Sequence, residues 1–224
     1  MFDAAAQIAV QGVAAGAPSG SSKALQARNV CFTHQGRVEP VLKGCSLEVE
    51  RGDHMLLEGG SGSGKSTFAS LLAGFRRPSA GLILAGGLDR QTLGEANWRR
   101  RIATAPQYHE NHILSAPLGF NLLMARSYPH SARDMKEARD ICDELGLGPL
   151  LARMPGGLDQ MVGETGWQLS QGERSRVFLA RALLQNADFV LLDESLAALD
   201  PENLRQCLDC VIRQAKTLLV IAHP

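Results

Sequence analysis

No stretch of this 224-residue chain approaches the roughly 20 consecutive apolar residues that a helix needs to cross a bilayer. If the protein works at a membrane, something other than these residues must span it. A net charge is missing too, because 23 Lys and Arg stand against 23 Asp and Glu. No global field therefore pulls the chain toward nucleic acid or anionic lipid. The five cysteines are odd in number and scattered, which argues against a secreted disulfide framework and suits a reducing cytosol. Cys207 and Cys210 have CxxC spacing, but a zinc site needs about four ligands and no second pair is near. Leu204, Leu208, Val211, Ile212 and Ala215 recur around them at helical spacing, so the pair is expected beside the core as small apolar residues. Residues 1–22 lack a basic leading region and carry Asp3, which makes a poor secretory signal. Their Ala, Gly, Pro and Ser content reads as a linker or tail.

What is present is ordinary for a globular domain, with 45% hydrophobic and 21% charged residues in a length that permits one substantial core. Short strands are predicted at residues 30–33 and 46–50, and an apolar strand at 54–58 runs straight into GGSGSGKST. Phe68, Ala69, Leu71, Leu72 and Ala73 then form a helical face that ends at Gly74. Further strands are predicted at 82–84 and 102–105, and a helical pattern from 117 to about 151. After it come a helix from about 171 to 185, the strand FVLLD at 189–193, a helix behind Pro201, and the closing strand TLLVIA. Strands alternating with helices imply an α/β fold with a mostly parallel sheet and a helical insertion over about 108–170.

Gly59-x4-Gly64-Lys65-Ser66 fits the phosphate-binding loop GxxxxGK[ST], and its setting between strand and helix is the one the motif requires. Glycines let successive backbone N–H groups turn inward toward phosphate oxygens with no Cβ in the way. The cradle comprises Gly59, Gly60, Ser61, Gly62, Ser63, Gly64, Lys65, Ser66 and Thr67. Lys65 would reach the β- and γ-phosphates of ATP, and the Ser66 hydroxyl would ligate Mg2+. Asp193 ends an apolar strand, so it projects at the carboxyl edge of the sheet, where open α/β sheets place ligands. It would support Mg2+, and Glu194 is the candidate for polarising the attacking water.

Between these sites, Leu169-Ser170-Gln171-Gly172-Glu173 resembles the LSGGQ signature of ABC ATPases, and RSRVFLARALL after it is similar to that family's following run. The resemblance covers nearly all of residues 23–224, with the motifs in family order. It implies a P-loop NTPase core with a mostly parallel sheet, an N-terminal antiparallel β part and an inserted α-helical subdomain. Gln107 matches the family's Q-loop glutamine, implied to touch Mg2+ and water. Asp200, in Ala198-Leu199-Asp200, matches the D-loop, and His223 matches the switch histidine that bonds the γ-phosphate. The resemblance further implies a second ABC domain packed head to tail, so that Ser170 and Gly172 of one face the ATP held by the other. MVGETG (161–166) is similar to the TEVGERG segment of exporters, and LSAPLGFNL (114–122) looks like their FSGTIRENI stretch. An exporter motor is thus expected, joined to transmembrane domains at the cytoplasmic face of a membrane.

The chain also departs from the family pattern. His34 stands where an aromatic residue usually stacks on adenine; Phe32 could substitute only in a different strand register. Gln171 replaces a usual glycine, and ESLAALD departs from EATSALD. Relatives usually continue beyond the switch histidine, whereas only Pro224 follows it here. The competing reading is a soluble ABC ATPase acting on nucleic acid or ribosomes. The coiled coils of the DNA-acting members do not fit the roughly 60 residues between Gln107 and Ser170, so no nucleic-acid partner is expected. Arg99, Arg100 and Arg101 read as a solvated face, and His109 and His112 as surface residues.

Overall fold

The computed structural model describes residues 23–105 and 112–222, together with the backbone of residues 9–13. In chain order the first elements are β1 (Ala9–Val13), β2 (Lys23–Phe32), β3 (Leu42–Glu50), β4 (His54–Glu58), α1 (Lys65–Leu72) and β5 (Ala80–Ala85). Then come β6 (Leu88–Asp89), α2 (Arg90–Leu93), α3 (Glu95–Arg101), β7 (Ile102–Ala105), β8 (Ala116–Pro117) and α4 (Leu118–Leu122). The remainder is α5 (Ala132–Glu144), α6 (Gly148–Arg153), β9 (Met161–Val162), α7 (Gln171–Leu184), β10 (Phe189–Asp193), α8 (Pro201–Gln214) and β11 (Leu218–Ala222). Contacts gather the chain into two compact units. One comprises Met1–Thr104, Asp188–Asp193 and Lys216–Pro224; the other comprises Ala105–Ala187 and Glu194–Ala215.

The first unit is built on two sheets. A five-stranded sheet has the order β1-β4-β11-β10-β7, and an antiparallel one the order β3-β2-β5-β6. In the larger sheet β4, β11 and β10 run parallel while β1 is antiparallel to β4. Phe189 to Asp193 are all buried, as befits a central parallel strand, which reads as an unbroken apolar run rather than an alternation. Phe68, Leu71 and Leu72 of α1 share one core with Leu25, Val49 and Ile83 of the small sheet and Leu57, Leu191 and Leu219 of the large one. Burial of each such side chain contributes roughly 1.5–3 kcal/mol. The helix stops at Gly74, whose φ of 80° suits glycine and where a Cβ would lie 2.8 Å from the Trp98 indole nitrogen. That indole donates to the Leu72 carbonyl at 3.2 Å and so satisfies one of the free carbonyls at the helix end.

The second unit is helical, with one two-stranded ribbon. The continuous helical pattern expected over 117–151 is three helices: α4 ends at Leu122, Ser131 opens α5 with a reciprocal capping box with Asp134, and α6 starts behind Leu147. The two segments at 114–122 and 161–166 meet here, because β8 and β9 pair antiparallel with Ala116 opposite Val162 and Pro117 opposite Met161. Asn121, fully buried, braces that ribbon by accepting from the Leu114 N–H and donating to the carbonyls of Leu114, Ala116 and Pro117. Arg181 of α7 reaches Asn121 in turn, donating to its backbone carbonyl at 2.8 Å and to its side-chain oxygen at 3.3 Å. Burial pulls the Arg181 guanidinium down to about 10, which still leaves it charged at neutral pH.

Cys207 and Cys210 lie fully buried on α8, and among the described residues no cluster of His, Cys, Asp and Glu could hold a metal ion. Leu204 and Ile212, expected on the same buried face, are instead exposed. They sit on the flank of the helix, outside the stripe that Cys207, Cys210 and Val211 turn inward. Arg101 is not wholly solvated either, since its guanidinium donates to the Ala85 carbonyl at 3.1 Å. The linker expected over 1–22 lies largely outside the described residues; within it, residues 9–13 form β1. Among the described residues no helix is long and apolar enough to cross a membrane.

Candidate functional site

In the first unit the register of the large sheet brings three strand ends level. Glu58 of β4 pairs with Ala222 of β11, and Asp193 of β10 pairs with Ile221. The loop after β4 and the carboxylate at the end of β10 therefore share one edge. His223 follows β11 directly in the chain but lies outside the described residues, as do Gln107 and His109.

Between β4 and α1, Gly62 and Gly64 hold φ values of 77° and 91°, a left-handed conformation that a β-carbon disfavours. No side chain caps the start of α1, so its first backbone N–H groups and the positive end of its dipole suit an anion. Lys65 is buried, and its ammonium donates to the carbonyls of Gly59 and Gly60, the latter at 3.1 Å. A lysine folded onto its own loop is a fixed cation, a charge that suits an anion. The Ser63 hydroxyl is buried with no hydrogen-bond partner, as expected of a polar group whose partner is a ligand. Ser66 donates from its hydroxyl to a carboxylate oxygen of Asp193 at 3.3 Å. These two oxygen donors, one hydroxyl and one carboxylate, are the hard ligands that Mg2+ prefers.

His34 lies just beyond the end of β2, with its ring edge-on to Phe32 at a centroid distance of 4.9 Å. Phe32 itself pairs with Leu42, sits in the core and carries the Arg76 guanidinium 5.8 Å over its ring. The register thus commits Phe32 to the core, while His34 stands half-buried beyond the strand end.

In the second unit Ser170 is the N-cap of α7. It accepts from the Glu173 N–H, while the Glu173 carboxylate accepts from the Ser170 N–H at 2.8 Å. Burial pushes Glu173 upward, but the Ser170 bonds and the adjoining Arg153 outweigh it and hold the carboxyl below its usual range. The Ser-x-x-Glu spacing is the signal by which sequence alone reveals this cap. Gly172 lies beside Ala198 and Leu199, where a Cβ would meet the Ala198 carbonyl at 3.8 Å. Asp200 caps α8 by accepting from the Glu202 and Asn203 N–H groups. The Asn203 side chain also donates to it, and these bonds lower its pKa. Glu194 adopts φ 51°, unusual for a glutamate, and Ser195 after it is buried with its hydroxyl donating to the Ala105 carbonyl. Neither feature carries a local sequence signal.

Similarity to known proteins points to one family. A family profile described as "ABC transporter" matches residues 42–197. The chain is 35% identical over 198 residues to the ATP-dependent lipid A-core flippase of Vibrio vulnificus (strain CMCP6), covering 88% of this chain and 33% of that protein. It is 36% identical over 198 residues to the flippase of the same name from Escherichia coli (strain K12), again over 88% and 33%. A solved structure described as "Structure of a bacterial Atm1-family ABC exporter with ATP bound" superposes with a TM-score of 0.79 at 31% identity, covering 93% of this chain and 35% of that one. The chain spans about a third of the length of the curated relatives it matches.

Proposed function

Because the chain belongs to the ABC transporter family, we propose that it is the ATP-hydrolysing motor of an exporter. Its work would be to couple MgATP-driven dimerisation to movement of a substrate across a membrane. One observation carries the reading. The phosphate loop and Asp193 lie at one sheet edge, with a buried lysine, an orphaned Ser63 hydroxyl and a Ser66–Asp193 pair waiting there together.

In this reading Gly59 to Thr67 hold the triphosphate of ATP, and His34 faces the adenine. Ser66, Asp193 and Gln107 would hold Mg2+, which would supply neutralisation of phosphate charge. Glu194 takes the proton of the attacking water, and Gln107 and His223 report the state of the γ-phosphate. Ser170, Gly172 and Asp200 serve the nucleotide held by a second ABC domain. Transmembrane domains, fused or separate, place the motor at the cytoplasmic face of a membrane. The pairing of residues 116–117 with 161–162 supports the exporter branch, since both segments resemble exporter sequences. The relatives named above are a flippase and an exporter, which favours this reading over a soluble ATPase acting on nucleic acid or ribosomes.

The test is Glu194→Gln. Removing a general base should lower phosphate release by about 10²–10⁴-fold, while MgATP affinity is retained and sedimentation shows an ATP-bound dimer. A variant that binds MgATP yet stays monomeric at high concentration, or that hydrolyses at the wild-type rate, would overturn the proposal.

A further inference from the structure

Three described non-glycine residues have positive φ: Asn29, Asn186 and Glu194. Asparagine visits the left-handed region readily because its short amide bonds locally, whereas glutamate gains nothing there. Glu194 must therefore be held by its surroundings, and such strain concentrates at working sites. Part of the hold is local, as the Ala197 N–H donates to the Glu194 carbonyl at 3.1 Å. Another part comes from far along the chain. Ser195 is 6% exposed, and its hydroxyl donates to the carbonyl of Ala105, 90 residues away in sequence. Ala105 is the last residue of β7 and stands two residues before Gln107. One hydroxyl thus ties the residue after Glu194 to the last residue of β7.

We propose that Ser195 is a positioning residue for ATP hydrolysis, anchoring the left-handed turn at Glu194 to the end of β7 through the Ala105 carbonyl. The inference rests on the ATPase reading above. The serine hydroxyl does not act on the nucleotide. It fixes where the left-handed turn at Glu194 leaves the sheet, and hence where the carboxylate is carried. With alanine at 195 the Cβ remains and the fold is kept, but the bond to the Ala105 carbonyl is lost and the turn is free to relax toward ordinary φ.

Steady-state phosphate release by the full 224-residue chain tests this. Ser195→Ala should lower kcat about tenfold while KM for MgATP stays within about twofold. Ser195→Thr, which keeps the hydroxyl, should recover most of the rate. In a Glu194→Gln background the added Ser195→Ala should change residual turnover less than about twofold, because residues acting as one unit are not additive. A wild-type kcat in Ser195→Ala would overturn the proposal, as would an equal loss in both backgrounds, which is the mark of a merely structural bond. If the wild-type chain binds MgATP but releases no phosphate, the ATPase reading itself falls and takes this one with it. A hydrolysing wild type with an unaffected variant removes only the role of Ser195.

Discussion

Gly64→Ala separates two costs that glycine avoids in the loop between β4 and α1. The first is conformational: Gly64 has φ 91°, and the left-handed region costs an L residue about 1–2 kcal/mol. The second is steric. A Cβ at Gly64 would lie 2.9 Å from Leu42 Cδ2 and 3.2 Å from Val41 Cγ1. Leu42 is 1% exposed and packed in the core, so it has little room to withdraw. Overfilling a packed site of this kind costs about 1–3 kcal/mol. Gly62, with φ 77° and nothing within 4 Å of its would-be Cβ, provides the control. Gly62→Ala should lose about 1–2 kcal/mol and Gly64→Ala about 2–5 kcal/mol. Urea unfolding followed by circular dichroism, without nucleotide, measures both; the slope m should not change, since the surface exposed on unfolding is the same. In thermal melts each kcal/mol should appear as about 2–4 °C for a chain of this size. Equal losses at the two positions would refute the packing argument, because only Gly64 abuts Val41 and Leu42. A stable Gly64→Ala would also show that the start of α1 is not wedged against β3 as the structure has it.

Two further outcomes follow from the titrating groups. Glu173 is held below its usual range in the folded state, so its stabilisation is full above the unfolded value near 4.3 and is lost as pH falls through the lower folded value. Glu173→Ala should therefore be less stable than wild type by about 0.5–2 kcal/mol at pH 7, with the gap narrowing below about pH 4.3; a gap unchanged from neutral to acid would refute the charged cap. Burial pushes the thiols of Cys142 and Cys210 up to about 12 and that of Cys207 up to about 11, while Cys31 and Cys45 are partly exposed. Alkylation of the native protein at mild alkaline pH should stop at Cys31 and Cys45, and intact-mass spectrometry showing a third adduct without unfolding would contradict it.

Local signals were enough for much of the frame. The strands at 54–58, 102–105 and 189–193 emerge where expected because each is a short apolar run ended by a turn or charge. The helix behind Pro201 was legible because proline opens α8 at its first position. The GxxxxGK[ST] spacing between strand and helix, and the place of Asp193 at the end of its strand, were legible in the same way. The small sheet was harder. β2 runs over ten residues and β3 over nine, well past the predicted 30–33 and 46–50. Register shifts between Ala27 and Val30 and between Val30 and Phe32 break the alternation that reveals a strand. The breaks in the helical stretch after 117 are marked by Pro129 and the Ser131 cap ahead of α5, and by Gly146 (φ 72°) and Pro149 around the start of α6, punctuation that apolar spacing alone passes over.

Other features exist only once distant residues meet. Phe32 and His34 are both candidate rings in the sequence, and the pairing of Phe32 with Leu42 assigns one to the core and leaves the other half-buried beyond the strand end. Asn121 is one polar residue in an apolar run until it meets Arg181, 60 residues on. Ser195 is an unremarked small residue until its hydroxyl finds Ala105, 90 residues away. A motif is read from neighbours a few positions apart, whose geometry the backbone itself fixes. Which side chain is buried, and which carbonyl a hydroxyl can reach, depends on strands and helices that pack together only in the folded chain.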